Sequence, residues 1–269
     1  MNERLNRLPW LAPLALLVVL ALALVPSTDL LRLAGSPDAS EDVNEVLDEL
    51  PAGSLVLVGF DPDLGTYSEI RPTVRVLLAD LLERDASLVF VSLTPEGRAL
   101  AIAERARLVA GGIAPGRLAD AGFVPGAEAA LVRLAGALGV GGGGLVDELP
   151  GEPIALALVV GGNDLGPRSW VEQVAPRVDG LGLVAVAPSV LLPELRPYLE
   201  SGQLRALLAT PRDGAAYRES IEPSDLDDER DPRPLAVLVG MLVAVGVLGV
   251  SVTSRLGEAM RSARGREAA

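Results

Sequence analysis

The chain of 269 residues contains no cysteine and no histidine, and its 23 basic residues are all arginine, so lysine is missing too. Without cysteine there are no disulfides, no thiolate nucleophile and no Cys-based zinc site, although the compartment stays open because an oxidising location permits disulfides without requiring them. Without histidine the usual general base near neutral pH and the commonest metal ligand are gone. Without lysine, P-loop and Schiff-base chemistry drop out as well. What remains for catalysis is carboxylates with a hard metal, Ser and Thr hydroxyls, Tyr and Arg. Aromatic residues make up only 3 % of the chain, and a net charge of −13 speaks against a nucleic-acid binder, which needs a basic face to release counterions from phosphates.

Apolar residues, by contrast, are half of the chain, and two runs of them carry no charge. Leu8 to Val25 and Leu235 to Val252 are each just long enough to cross the roughly 30 Å hydrocarbon layer. Two readings of the first run stand side by side. It is a membrane span, or it is a signal peptide, since Arg4 and Arg7 precede it and Ala21-Leu22-Ala23 fits a small-x-small cleavage pattern that would remove residues 1–23. Arginines flank both runs on their outer sides, at Arg4 and Arg7 and at Arg255, Arg261, Arg264 and Arg266, so both termini are expected in the cytoplasm and the acidic middle outside a bacterial cell membrane. The implied layout is a cytoplasmic stretch 1–7, a transmembrane helix 8–25, a linker 26–50, an extracytoplasmic domain 51–221, an acidic tether 222–234, a second transmembrane helix 235–253 and a basic tail 254–269. The lipid bilayer is then the first partner. Ala236, Gly240 and Ala244 form a small-residue stripe through which a second copy or another membrane protein would pack.

Between the runs, short apolar segments alternate with helical patterns. Strands are expected at 54–60, 87–93, 118–124, 154–160, 181–187 and 204–209, and helices at 66–85, 96–109, 126–138, 169–178, 191–201 and 212–221. Continuous apolar strands such as Leu55-Val56-Leu57-Val58 belong to sheets buried on both faces, so the expected fold class is α/β, a Rossmann-like, doubly wound and mainly parallel sheet flanked by the two transmembrane helices. Residues 35–44 read as a tether with a short helix at 45–50, and the glycine stretch 139–144 as a flexible excursion.

In such sheets ligands bind beyond the carboxyl ends of the strands. The side chains expected there are Asp61, Asp63 and Thr66 after the first strand, Thr94 after the second, and Asn163, Asp164 and Trp170 after the fourth. Thr66, Thr94, Asn163 and Trp170 are the candidate ligand-binding residues. Asp63 can instead cap the helix that follows, Thr94-Pro95 reads as a helix start, and Ser169 with Glu172 reads as a capping box.

Strand, Asp61-x-Asp63, then Gly65-Thr66 is similar to the first motif of haloacid dehalogenase-like phosphatases. That resemblance implies Asp61 as nucleophile, Asp63 as general acid, Thr94 or Ser92 as a phosphate contact, and Asp61, Asp63 and Asp164 as ligands of Mg²⁺. Leu64 stands where the motif has glycine, and the family's lysine has no counterpart. Over a longer stretch, "VPGAEAAL", "SWVEQV", "RPYLESGQLRALL" and "GAAYRES" together resemble a group of bacterial membrane proteins. What this implies is an anchored α/β domain, with no reaction attached. The expected function is therefore a non-catalytic binding or assembly module of the bacterial envelope, needing no cofactor. The alternative is a Mg²⁺-dependent phosphatase-like hydrolase using Asp61 and Asp63.

Overall fold

The short apolar segments of the central domain become strands because helices cover both faces of the sheet they form. The computed structural model describes residues 37–139 and 154–221, all within one unit, residues 31–229. Strands β1 (Leu55–Phe60), β2 (Ser87–Ser92), β3 (Leu118–Phe123), β4 (Ile154–Val160), β5 (Gly182–Pro188) and β6 (Ala206–Thr210) form one sheet in the order β3-β2-β1-β4-β5-β6. Every neighbouring pair is parallel. The helices are α1 (Pro37–Asp48), α2 (Leu64–Glu83), α3 (Pro95–Ala110), α4 (Glu128–Gly139), α5 (Pro167–Gln173), α6 (Leu192–Glu200) and α7 (Arg212–Ser220).

Alternate side chains of each strand point to opposite faces. Val56, Val58 and Phe60 of β1 pack with α1, α2, α3 and α7, whereas Leu55 and Leu57 pack with α4, α5 and α6. The chain changes face between β3 and β4, so β1 and β4, which are neighbours, send their following helices to opposite sides. This is the topological switch point at which open α/β sheets hold ligands.

The Rossmann-like parallel sheet agrees with the sequence pattern, and the main difference lies at its start. Residues 37–48 form α1, so the short helix expected at 45–50 begins earlier, inside the expected tether 35–44, and ends at Asp48, because Val43, Val46 and Leu47 sit on one face and are buried against the sheet. Among the described residues no helix is long and apolar enough to cross a membrane. Both apolar runs, the Ala236, Gly240 and Ala244 stripe, the tether 222–234 and the tail 254–269 lie outside the described residues.

Long polar side chains lock the helices to one another. Glu104 of α3, almost fully buried, receives Arg75 Nε at 3.0 Å on each oxygen and Arg107 Nε at 2.8 Å. Buried Tyr217 of α7 donates to Asp80 of α2 at 2.6 Å, and Arg84 donates to the other oxygen at 2.8 Å. Arg117 closes the carboxyl end of α2 by donating to the carbonyls of Leu82 and Ala86, each at 2.7 Å.

Candidate functional site

β1 ends at Phe60, and Asp61 extends its pairing by donating its backbone N–H to the Val160 carbonyl at 2.9 Å. The Asp61 side chain then turns towards β2. Its Oδ1 accepts the backbone N–H groups of Leu93 at 2.6 Å and Thr94 at 2.8 Å, and the Thr94 hydroxyl at 3.1 Å. These donors open α3, so Asp61 supplies negative charge at the positive end of that helix. α3 comes this close because residue 97 is glycine, where a Cβ would lie 2.3 Å from the Phe60 carbonyl oxygen. Asp61 is 1 % exposed, and its Oδ2 has no hydrogen-bond partner. Burial pushes its carboxyl up to about 6, against the pull of the two amides and the hydroxyl.

Asp63 does different work. It is the N-cap of α2, with Oδ1 accepting the Thr66 N–H at 2.9 Å and Oδ2 accepting the Thr66 hydroxyl at 2.6 Å. Those two bonds hold its carboxyl below the usual range. Thr66 is thereby committed to the cap. Thr94 is the N-cap of α3, its hydroxyl accepting from Gly97 N–H at 3.0 Å while it donates to Asp61.

Asn163, after β4, reaches back across the switch point. Its Nδ2 donates to the Asp61 carbonyl at 2.7 Å, and its Oδ1 accepts Leu165 N–H at 3.0 Å. The two glycines before it permit a close approach, since a Cβ at 161 would lie 3.1 Å from the Asp61 carbonyl oxygen. A Cβ at 162 would lie 3.0 Å from both the Thr66 methyl and the Pro188 ring. The start of the β4–α5 loop is thus packed closely against the end of β1.

Asp164 is exposed, and its carbonyl accepts the Ser169 hydroxyl. Among the described residues no group of three carboxylates is disposed to hold a metal, so Asp61, Asp63 and Asp164 do not form the triad that the phosphatase resemblance implies. The reason is geometric, because hydrogen bonds direct Asp61 to the β2–α3 turn and Asp63 to its own helix. Trp170 is fully buried and does not line an open site: its indole lies over Gly59, where a Cβ would come within 2.4 Å of Cζ2. The Ser169–Glu172 box does not form either, as α5 begins from Gly166 and Ser169 turns to Asp164.

Glu172 instead joins a cluster around a cleft of about 230 Å³ beside the β4–α5 loop, lined by Glu128, Asn163, Asp164, Arg168, Glu172 and Glu194 among others. Arg168 donates to Glu172 at 3.0 Å and Glu194 at 3.2 Å, and Tyr198 donates to Glu172 at 2.6 Å. The Tyr198 and Arg168 bonds hold the Glu172 carboxyl below its usual range. Sequence spacing reveals the two halves, Arg168 with Glu172 and Glu194 with Tyr198, each four apart on a helix. Nothing in it brings α5 and α6 together. No protein-family model, no curated protein and no solved structure matches this chain.

Proposed function

We propose that the chain is a membrane-anchored binding or assembly module of the bacterial envelope, with its α/β domain outside the cell and no catalytic role. The observation that carries this reading is the fate of the carboxylates at the strand ends. Asp63 spends both oxygens on the cap of α2, and Asp61 spends one on the Leu93 and Thr94 amides of the β2–α3 turn. Neither is disposed to hold a metal with Asp164. The anchoring rests on the two uncharged runs and their arginine flanks, and the Ala236, Gly240 and Ala244 stripe offers a packing face for a second copy or a membrane partner.

The alternative, a Mg²⁺-dependent hydrolase, draws its support from Asp61, a buried carboxyl with one free oxygen and an affinity for protons near neutral pH. One experiment separates the two. The full chain is expressed in a bacterial membrane, treated with protease from outside, and assayed for Mg²⁺-dependent hydrolysis of an aryl phosphate. The expected result is cleavage within the central domain, protected termini and no hydrolysis. Hydrolysis that disappears in Asp61→Asn would establish the alternative, and a chain recovered free of the membrane would remove the anchor.

A further inference from the structure

On α3 the charges turn inward and the apolar residues outward. From Gly97 to Ala110 its charged side chains are Arg98, Glu104, Arg105 and Arg107, and each is held against the domain. Arg105 donates to Asp120 and to the Leu118 carbonyl of β3 at 2.7 Å each, and Arg98 pairs with the same Asp120. Arg107 shares the buried Glu104 with Arg75 of α2. What faces solvent over this stretch is Ala99, Ile102, Ala103, Ala106, Val109 and Ala110, with Ile102 48 % and Val109 42 % exposed. Their spacings of three and four gather them on about a third of the helix circumference. A surface helix ordinarily turns such a stripe to the core and its charges to water, so the reverse order marks a contact surface.

We propose that α3 packs antiparallel against α3 of a second copy of this chain. An isologous contact has to be self-complementary, and Ala99, Ala103, Ala106 and Ala110 are spaced four, three and four, which reads the same in either direction. In an antiparallel pair, position 99 of one copy meets position 110 of the other, and 103 meets 106. Alanines there let the helix axes come to about 8 Å, while Ile102 and Val109 fill one side of the seam. The charges at the ends also match. Glu96 lies in the first turn and Arg107 in the last, eleven residues or three turns apart and therefore on one side of the helix. Antiparallel pairing brings Glu96 of each copy towards Arg107 of the other along a single rim, and sets opposite ends of the helix dipoles together. Two chains of net charge −13 repel, and a face with no outward charge from 97 to 110 opposes contact least. A 16-residue helix is about 24 Å long, so the contact falls short of the roughly 1,200 Å² of a stable complex and pairing is reversible. The contact rests on the assembly reading, in which the domain works by association, but not on its anchor.

The chain has no cysteine, so every thiol introduced at these exposed alanines is the only kind present. The test uses full-length Ala106→Cys, Ala99→Cys, Ala110→Cys and Ala99→Cys/Ala110→Cys, oxidised in whichever fraction holds the chain, membrane or soluble, and read as disulfide-linked dimer on a non-reducing gel. The fraction reports on the anchor and the gel on the contact. Position 106 lies beside the two-fold axis, where its Cα atoms come within the roughly 7 Å that a disulfide spans, whereas two copies of position 99, or of 110, stand about 16 Å apart along the helices. The expected result is dimer from Ala106→Cys and from the double variant, and roughly ten-fold less from Ala99→Cys or Ala110→Cys alone. Adding Ile102→Glu to Ala106→Cys, which places a charge in the seam, is expected to cut the dimer roughly ten-fold. Ala103→Cys, on the other side of the axis, repeats the test should Ala106→Cys not fold. No dimer from either axial variant, equal yields from all four, or a yield indifferent to Ile102→Glu overturns the proposal. So does a disulfide to a different protein in place of the dimer, which would give this face another partner.

Discussion

Replacing Gly59 with alanine tests whether Trp170 belongs to the core or to a ligand site. Gly59 sits in the middle of the sheet, opposite Val91 of β2 and Val159 of β4. Its missing Cβ leaves the space that the indole fills: an alanine methyl would lie 2.4 Å from Cζ2, 2.8 Å from Cε2 and 3.0 Å from Cη2. Carbon atoms in contact need about 3.5 Å, so the ring must retreat by about 1 Å. Trp170 is 0 % exposed and has no open side to move into. Overpacking of this kind costs about 3 kcal/mol, the upper end of the ordinary range. In a domain of this size that corresponds to a fall in Tm of about 6–12 °C, measured by circular dichroism on the full chain. Trp170→Phe relieves the clash while leaving a void of its own. The double variant Gly59→Ala/Trp170→Phe is therefore expected to be more stable than the sum of the single losses by at least about 1 kcal/mol. Strict additivity would refute the contact and return Trp170 to the residues available for a ligand.

Two carboxyls of this domain titrate in opposite senses, and the signs can be checked separately. For Asp61 the folded value is raised from 3.8 to about 6, so the folded state holds the proton more tightly and its contribution to stability falls as pH rises through that window. Asp61→Asn mimics the protonated acid. It should therefore leave stability at about pH 4 nearly unchanged and raise it at about pH 7.5 by up to about 3 kcal/mol in urea unfolding; equal curves at both pH values would contradict the burial argument. For Glu104, burial raises the carboxyl but hydrogen bonds from Arg75 and Arg107 outweigh it and leave the value lowered, so its stabilisation is present above the ordinary carboxylate range and lost on acidification. Glu104→Gln should cost about 2–3 kcal/mol at neutral pH, less than a fully buried pair because Arg75 and Arg107 keep some access to water, and should flatten the acid limb of the profile. Tyr217→Phe should cost about 1–2 kcal/mol by stripping Asp80 of one donor while Arg84 stays in place; a neutral substitution would mean that the Tyr217 hydroxyl is hydrated instead.

The alternation of strands and helices was legible because each buried strand is a nearly unbroken run of Val, Leu and Ala, and each helix shows apolar residues three and four apart. Strand order was not. Parallel neighbours are fixed by where crossovers pass over the sheet, and nothing in the residues of β4 marks it as the partner of β1 rather than of β3. For α1 only the end is legible, in the short helix expected at 45–50, since Pro37, Asp38 and Ser40 read as loop and the docked face, Val43, Val46 and Leu47, shows that the helix begins earlier. At the strand ends, Asp63 was readable as a cap because its partner, Thr66, is three residues away. Asp61 was not, because the amides it accepts come from the next strand's turn, more than thirty residues along the chain.

The same placements decide which ligands the carboxyl end of the sheet can attract. Helix N-termini are natural anion sites, but here the two that flank β1 already hold the protein's own anions, Asp63 at α2 and Asp61 at α3. Glu128 and Glu194 occupy the first turns of α4 and α6, and Arg168, the cation lining the cleft, is shared by two carboxylates. A phosphate arriving at α2 would displace or repel a charge whose cap bonds stabilise the helix by about 1 kcal/mol. Removing that charge while keeping an acceptor separates the cap from the repulsion, because serine caps a helix about as well as aspartate. The wild-type chain is expected to show no saturable change in the backbone amide resonances of Leu64, Gly65 and Thr66 on titration with inorganic phosphate, and Asp63→Ser is expected to lose well under 1 kcal/mol of stability while those amides become responsive. Saturable binding to the wild-type chain would show that Asp63 yields its place to phosphate, and the phosphatase reading would then regain the ground that the cap has taken from it.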